Sequence, residues 1–75
     1  MARSRALPDR QLAIDLYQRG CDQGDASGCV ILAGKYVEGV DVHTDIARAY
    51  ALFERALILD PSNEDARSGL ASLPR

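Results

Sequence analysis

The chain has 75 residues, 47% of them hydrophobic and 27% charged, with a formal net charge of -2. That is one small domain, and a chain of this size buries only about 60% of the surface its unfolded form exposes, which leaves little room for a deep active site. Sparse β-branched and aromatic residues exclude a β-sandwich or barrel and favour an all-α fold, a pI near 5.1 with interspersed charges argues against nucleic acid, and the lack of any long apolar run argues against a membrane span.

Residues 1–8 read as a flexible N-terminal arm. Arg3, Arg5 and Arg10 form the one basic bias and suit a solvated tail, with a short Arg- and Ser-rich presequence as the alternative. No hydrophobic signal core follows Met1, so the default compartment is the cytoplasm. Residues 9–73 carry four stretches of helical periodicity. The first runs from Asp9 to Cys21, with Leu12, Leu16 and Gly20 on one ridge and Ala13, Tyr17 and Cys21 on the neighbouring one; Pro8 suits its first turn. Gly24, in Asp22-Gln23-Gly24-Asp25, is available to break the pattern. The second runs from Ala26 to Glu38, with Cys29, Leu32, Ala33, Tyr36 and Val37 inward, and Gly39 ends it. Thr44 or Asp45 is suited to cap the third helix, Asp45 to Leu59, whose stripe is Ile46, Ala49, Tyr50, Phe53, Ala56 and Leu57. Asp60-Pro61-Ser62 separates it from a fourth, Asn63 to Ser72, with Ala66, Leu70 and Leu73 inward. Connections this short imply antiparallel neighbours, hence stacked helical hairpins forming an α/α solenoid.

The chain also repeats itself. At a shift of 36, Ala13-Ile-Asp-Leu-Tyr17-Gln-Arg-Gly20 lies over Ala49-Tyr-Ala-Leu-Phe53-Glu-Arg-Ala56, and at a shift of 38 Leu32-Ala33 lies over Leu70-Ala71. The stretch Cys29-x2-Leu32-Ala33-x2-Tyr36, then Ala49-x3-Phe53-x2-Ala56, then Leu57-x-Leu59-Asp60-Pro61, resembles the tetratricopeptide pattern, with Ala33 for the usual Gly and Cys29 for the usual Trp. The connection between its two helices is longer than in that family. It is similar instead to Sel1-like repeats, in which a Tyr is followed by Gly-x-Gly-Val-x-x-Asp and a helix. Here Tyr36-x2-Gly39-x-Asp41-Val42-x-x-Asp45 places Asp41 at the second glycine; if that position requires positive φ, Asp is a tolerated but not a free substitute.

Cys21-x7-Cys29 resembles the cysteine-rich branch of Sel1-like proteins, in which such a pair bridges consecutive helices. The tight turn between the two helices is compatible with that distance. Read from the residues alone, Cys21 and Cys29 have three roles open to them: a disulfide, two buried thiols, or metal ligands with His43 as the sole histidine. A bridge would point to an oxidising compartment. Other constellations carry less. His43 reads as a solvated loop side chain, and Asp22, Asp25, Asp41 and Asp45 lack the calcium-loop register. Gly28-x5-Gly34-Lys35-Tyr36 has the wrong spacing for a phosphate loop and lies inside a helix. Tyr17, Tyr36, Tyr50 and Phe53 read as packing residues.

What remains is surface. The resemblance implies a concave face lined by the second and fourth helices, with Ser27, Val30, Gly34 and Val37 from one and Asp65, Ser68 and Ser72 from the other. Such faces bind peptides or partner helices; the alternative is that this strip packs on a neighbouring repeat. The expected function is a non-catalytic interaction module, scaffold or adaptor, with no cofactor and with a protein or peptide as partner, homodimeric or part of a longer array. The rival reading is a small thiol-redox or metal-handling protein built on Cys21 and Cys29.

Overall fold

The structure, a computed structural model, describes residues 6–73. Four helices follow in order, α1 (Ala6–Asp22), α2 (Ala26–Glu38), α3 (Ile46–Leu59) and α4 (Glu64–Ser72), and the described residues contain no strand. The fold is all-α, as composition and periodicity imply. Of the expected arm, residues 1–5 lie outside the described residues. Helix α1 begins at Ala6 rather than Asp9, which places Pro8 in the first turn, where a missing N–H costs nothing.

Side-chain oxygens start the other three helices. Asp25 accepts from Ser27 N, Asp45 from Arg48 N and Asn63 from Ala66 N, each at 3.0 Å. The capping role at α3 therefore falls to Asp45 and not Thr44, and α3 and α4 each begin one residue after the expected first residue, which acts as the cap. We expect Asp45→Ala to cost about 1 kcal/mol and to lower the thermal midpoint by about 4–8 °C, measured by circular dichroism.

The α2–α3 connection is held by backbone geometry. Gly39 takes the left-handed conformation (φ 70°, ψ 35°) and its N–H donates to Lys35 O at 2.8 Å, closing the helix. Asp41 is the one described non-glycine residue at positive φ, 66°, and it stands where the Sel1-like connection carries its second glycine. Asp45 N then donates to Tyr36 O at 2.9 Å, tying the start of α3 to the end of α2. Lys35 Nζ and Arg10 Nε each lie 3.7 Å from an Asp41 carboxylate oxygen.

The core runs through all four helices: Ile14 and Cys21 from α1; Cys29, Leu32 and Ala33 from α2; Ala49, Leu52, Phe53 and Ala56 from α3; Ala66 from α4 and Leu73 just beyond it. Gly28 brings α1 and α2 together, since a Cβ there would lie 3.1 Å from both Tyr17 O and Cys21 N. Each helix packs on the next, most extensively α2 on α3, and α2 also touches α4.

Two apolar stripes are buried only in part. On α1, Leu12 and Leu16 are 56% and 57% exposed and Ile14 is buried instead. The face turned to α2 is the Ile14-Tyr17-Cys21 row, and the Leu12-Leu16 ridge runs beside it. On α3, Tyr50 is 42% exposed while Leu52, absent from the expected stripe, is buried. Leu52 lies one step round the helix, on the side that packs on the first hairpin. The molecule measures 45 × 26 × 15 Å, and several large apolar side chains stay at its surface, Leu12, Leu16 and Ile58 among them.

Candidate functional site

Cys21 and Cys29 lie at disulfide-bonding distance, with Cα atoms 4.6 Å apart and neither cysteine free. Cys21 ends the buried row of α1, and Cys29 sits in the first turn of α2. Both have 0% exposure. A sulfur that exchanges with a substrate thiol or disulfide has to be open to attack, and these are closed off. Among the described residues, no three His, Cys, Asp or Glu side chains come together as a metal site. His43 lies in the exposed connection, away from the cysteines and lining a shallow surface with Arg10, Gln11, Gly39, Asp41 and Val42.

The residues expected to line a concave face divide into two groups. Ser27, Asp65, Ser68 and Ser72 are exposed, and a Cβ at Gly34 would meet nothing within 4 Å. Val30 and Val37, expected to form the apolar strip, are half-buried against the core instead. The strip is therefore partly used in holding α2 to its neighbours, and the surface left there is small and polar.

An open groove of about 540 Å³ lies between α1 and α3. It is lined by Gln18 of α1, by the capping residue Asp45, and by Ala47, Arg48, Ala51, Leu52 and Arg55 of α3. Its arginines are held. Arg55 Nε donates to Cys21 O at 3.4 Å and its Nη2 to Asp22 O at 3.5 Å, so the guanidinium closes carbonyls at the C-terminus of α1, where a cation also suits the helix dipole. The Arg48 guanidinium lies over the Tyr36 ring, 5.4 Å from its centroid. The groove thus offers a small apolar floor, Ala47, Ala51 and Leu52, between two oriented cations seven residues apart on α3. None of these residues belongs to the set expected from sequence. One signal pointed to them: in the repeat alignment Arg55 lies over Arg19, the single charged residue shared by the matched stretches 13–20 and 49–56.

Compared with known protein families, curated proteins and solved structures, the chain matches none. No described helix is long and apolar enough to cross a membrane.

Proposed function

We propose that this chain is a non-catalytic helical-repeat module, Sel1-like in its α2–α3 connection, that binds an amphipathic peptide or partner helix carrying acidic side chains. The observation that carries this reading is the α1–α3 groove, whose apolar floor is flanked by Arg48 and Arg55, both fixed by intramolecular contacts. A preordered guanidinium loses less freedom on meeting a carboxylate than a mobile one. The Sel1-like reading is supported by the left-handed Gly39 and Asp41 within that connection. The redox alternative has the opposed cysteines in its favour and their burial against it; a bridged pair accords with an oxidising compartment.

The test is selection of binders from a displayed peptide library, followed by anisotropy titration of a selected peptide. Ala51→Glu fills the floor with a like charge for the peptide, and Arg48→Glu reverses one flanking cation. Each is expected to weaken binding about tenfold or more, whereas Ser68→Glu on α4 leaves it unchanged. Equal binding by all three variants, or loss only on Ser68→Glu, would place the site elsewhere.

A further inference from the structure

The internal repeat allows the two ends of the molecule to be compared position by position. The equivalence holds beyond the matched residues, because Asp25 and Asn63, 38 apart, both cap the second helix of their hairpins. In the second copy, Leu52 is buried where α3 packs on the first hairpin, and Arg55 reaches back to Cys21 O and Asp22 O. Their counterparts in the first copy are Leu16 and Arg19. Leu16 is 57% exposed and Arg19 is exposed too.

The opposite end shows the reverse. In the first hairpin, Ile14, Cys21, Leu32 and Ala33 are buried in the core that α3 completes. Their counterparts in the second hairpin are Tyr50, Leu57, Leu70 and Ala71. These four, with Arg67, line an open groove of about 320 Å³ between α3 and α4. One end of the chain therefore carries the ridge that covers a hairpin, and the other carries an uncovered hairpin.

We infer that the chain associates with second copies of itself head to tail, the Leu12-Leu16-Arg19 face of one molecule seating in the Tyr50-Leu57-Leu70-Ala71 groove of the next. The template is the packing of α3 on α2 within a single chain, with Arg55 reaching from α3 to the end of α1. Arg19 then meets the carbonyls at the end of the neighbour's α3 as Arg55 meets those of Cys21 and Asp22. The two surfaces are different, so the contact is heterologous, and it continues into a ring or an open filament rather than stopping at a two-fold dimer. This inference stands on the repeat and does not depend on the peptide groove.

Sedimentation velocity on the whole chain between about 10 µM and 1 mM, the range suited to a small interface, tests it with two variants. Leu16→Glu blocks the ridge and leaves the groove; Ala71→Glu blocks the groove and leaves the ridge. Both positions are exposed in the single chain, so circular dichroism is expected to be unchanged. Should either lower the helix content, Leu12→Glu and Tyr50→Glu replace them. The native chain is expected to form species beyond the dimer as concentration rises. Each variant alone is expected to be monomeric, with association weakened about tenfold or more, and the equimolar mixture to form a one-to-one dimer that grows no further. A native chain that stays monomeric, a variant that still self-associates, or a mixture that stays monomeric overturns the proposal. A native chain that stops at a dimer overturns it in favour of a two-fold contact.

Discussion

Opening the Cys21–Cys29 pair is expected to lower the thermal midpoint by about 10–20 °C. The two positions are separated by 8 residues, and on the chain-entropy account a cross-link closing so short a loop stabilises by about 2–3 kcal/mol. In a domain of this size each kcal/mol is worth about 4–8 °C. The same 2–3 kcal/mol is a large share of the roughly 3–5 kcal/mol that a core this small supplies. Because both cysteines are fully buried, reductant added to the folded chain is expected to act slowly. The measurement therefore compares melts of the oxidised chain with melts after unfolding, reduction and refolding under reductant. Reduction keeps both sulfurs in place and so isolates the cross-link from packing. The Cys21→Ala/Cys29→Ala chain adds the loss of two buried sulfurs and is expected to melt lower still. A thiol reagent is expected to find nothing in the native chain. Equal midpoints for the oxidised and reduced chains would mean that the staple contributes nothing. A thiol that titrates in the folded state would revive the redox reading.

Helix order, a cap at Thr44 or Asp45 and the stop at Gly39 were legible in the sequence, because each follows from local chemistry: a side-chain oxygen for orphan N–H groups, and a glycine for a left-handed turn. The inward faces of α2 and α4 were legible for the related reason that each is a narrow stripe, Leu32-Ala33 or Ala66-Leu70-Leu73. Periodicity placed Ala49, Phe53 and Ala56 of α3 and Tyr17 and Cys21 of α1 in the core but misplaced Leu12, Leu16 and Tyr50. Leu12 and Leu16 have the right spacing for a buried ridge, but spacing says only that residues share a face, and which face meets a neighbour is decided by the neighbour. Gly28, with α1 backbone at 3.1 Å from where its Cβ would stand, draws α2 onto the Ile14-Cys21 row and leaves the leucines outside. The α1–α3 groove was hidden for a similar reason. Its parts come from residues more than thirty positions apart, as in the contact of Arg55 with Cys21 O, and no local pattern marks a polar contact of that kind. The repeat alignment did contain the clue, in the pairing of Arg19 with Arg55.

Phe53→Ala is expected to unfold most of the population at 37 °C, whereas Ile58→Ala, five residues along the same helix, is expected to change stability by less than about 0.5 kcal/mol. Phe53 is 5% exposed and Ile58 78%. The Phe53 ring lies directly on Gly69, at the spot a side chain there would occupy, and so carries the contact that holds α4 to the other three helices. Removing a buried Phe side chain costs about 3–5 kcal/mol, because the lost transfer free energy is compounded by the cavity left behind. That equals the whole stability a core of this size supplies, so the cross-link between Cys21 and Cys29 would then restrain a chain with little else holding it. Helix content by circular dichroism and urea titration separates the cases. Phe53→Leu, which keeps an apolar side chain beside Gly69, is expected to stay folded with a lower urea midpoint. If Phe53→Ala instead melts like the native chain, α4 is not held through Phe53. The pairing of the second hairpin would then have to rest on Ala66, Leu70 and Leu73, and the same variant would be expected to leave the Tyr50-Leu57-Leu70-Ala71 groove, and any head-to-tail association through it, intact.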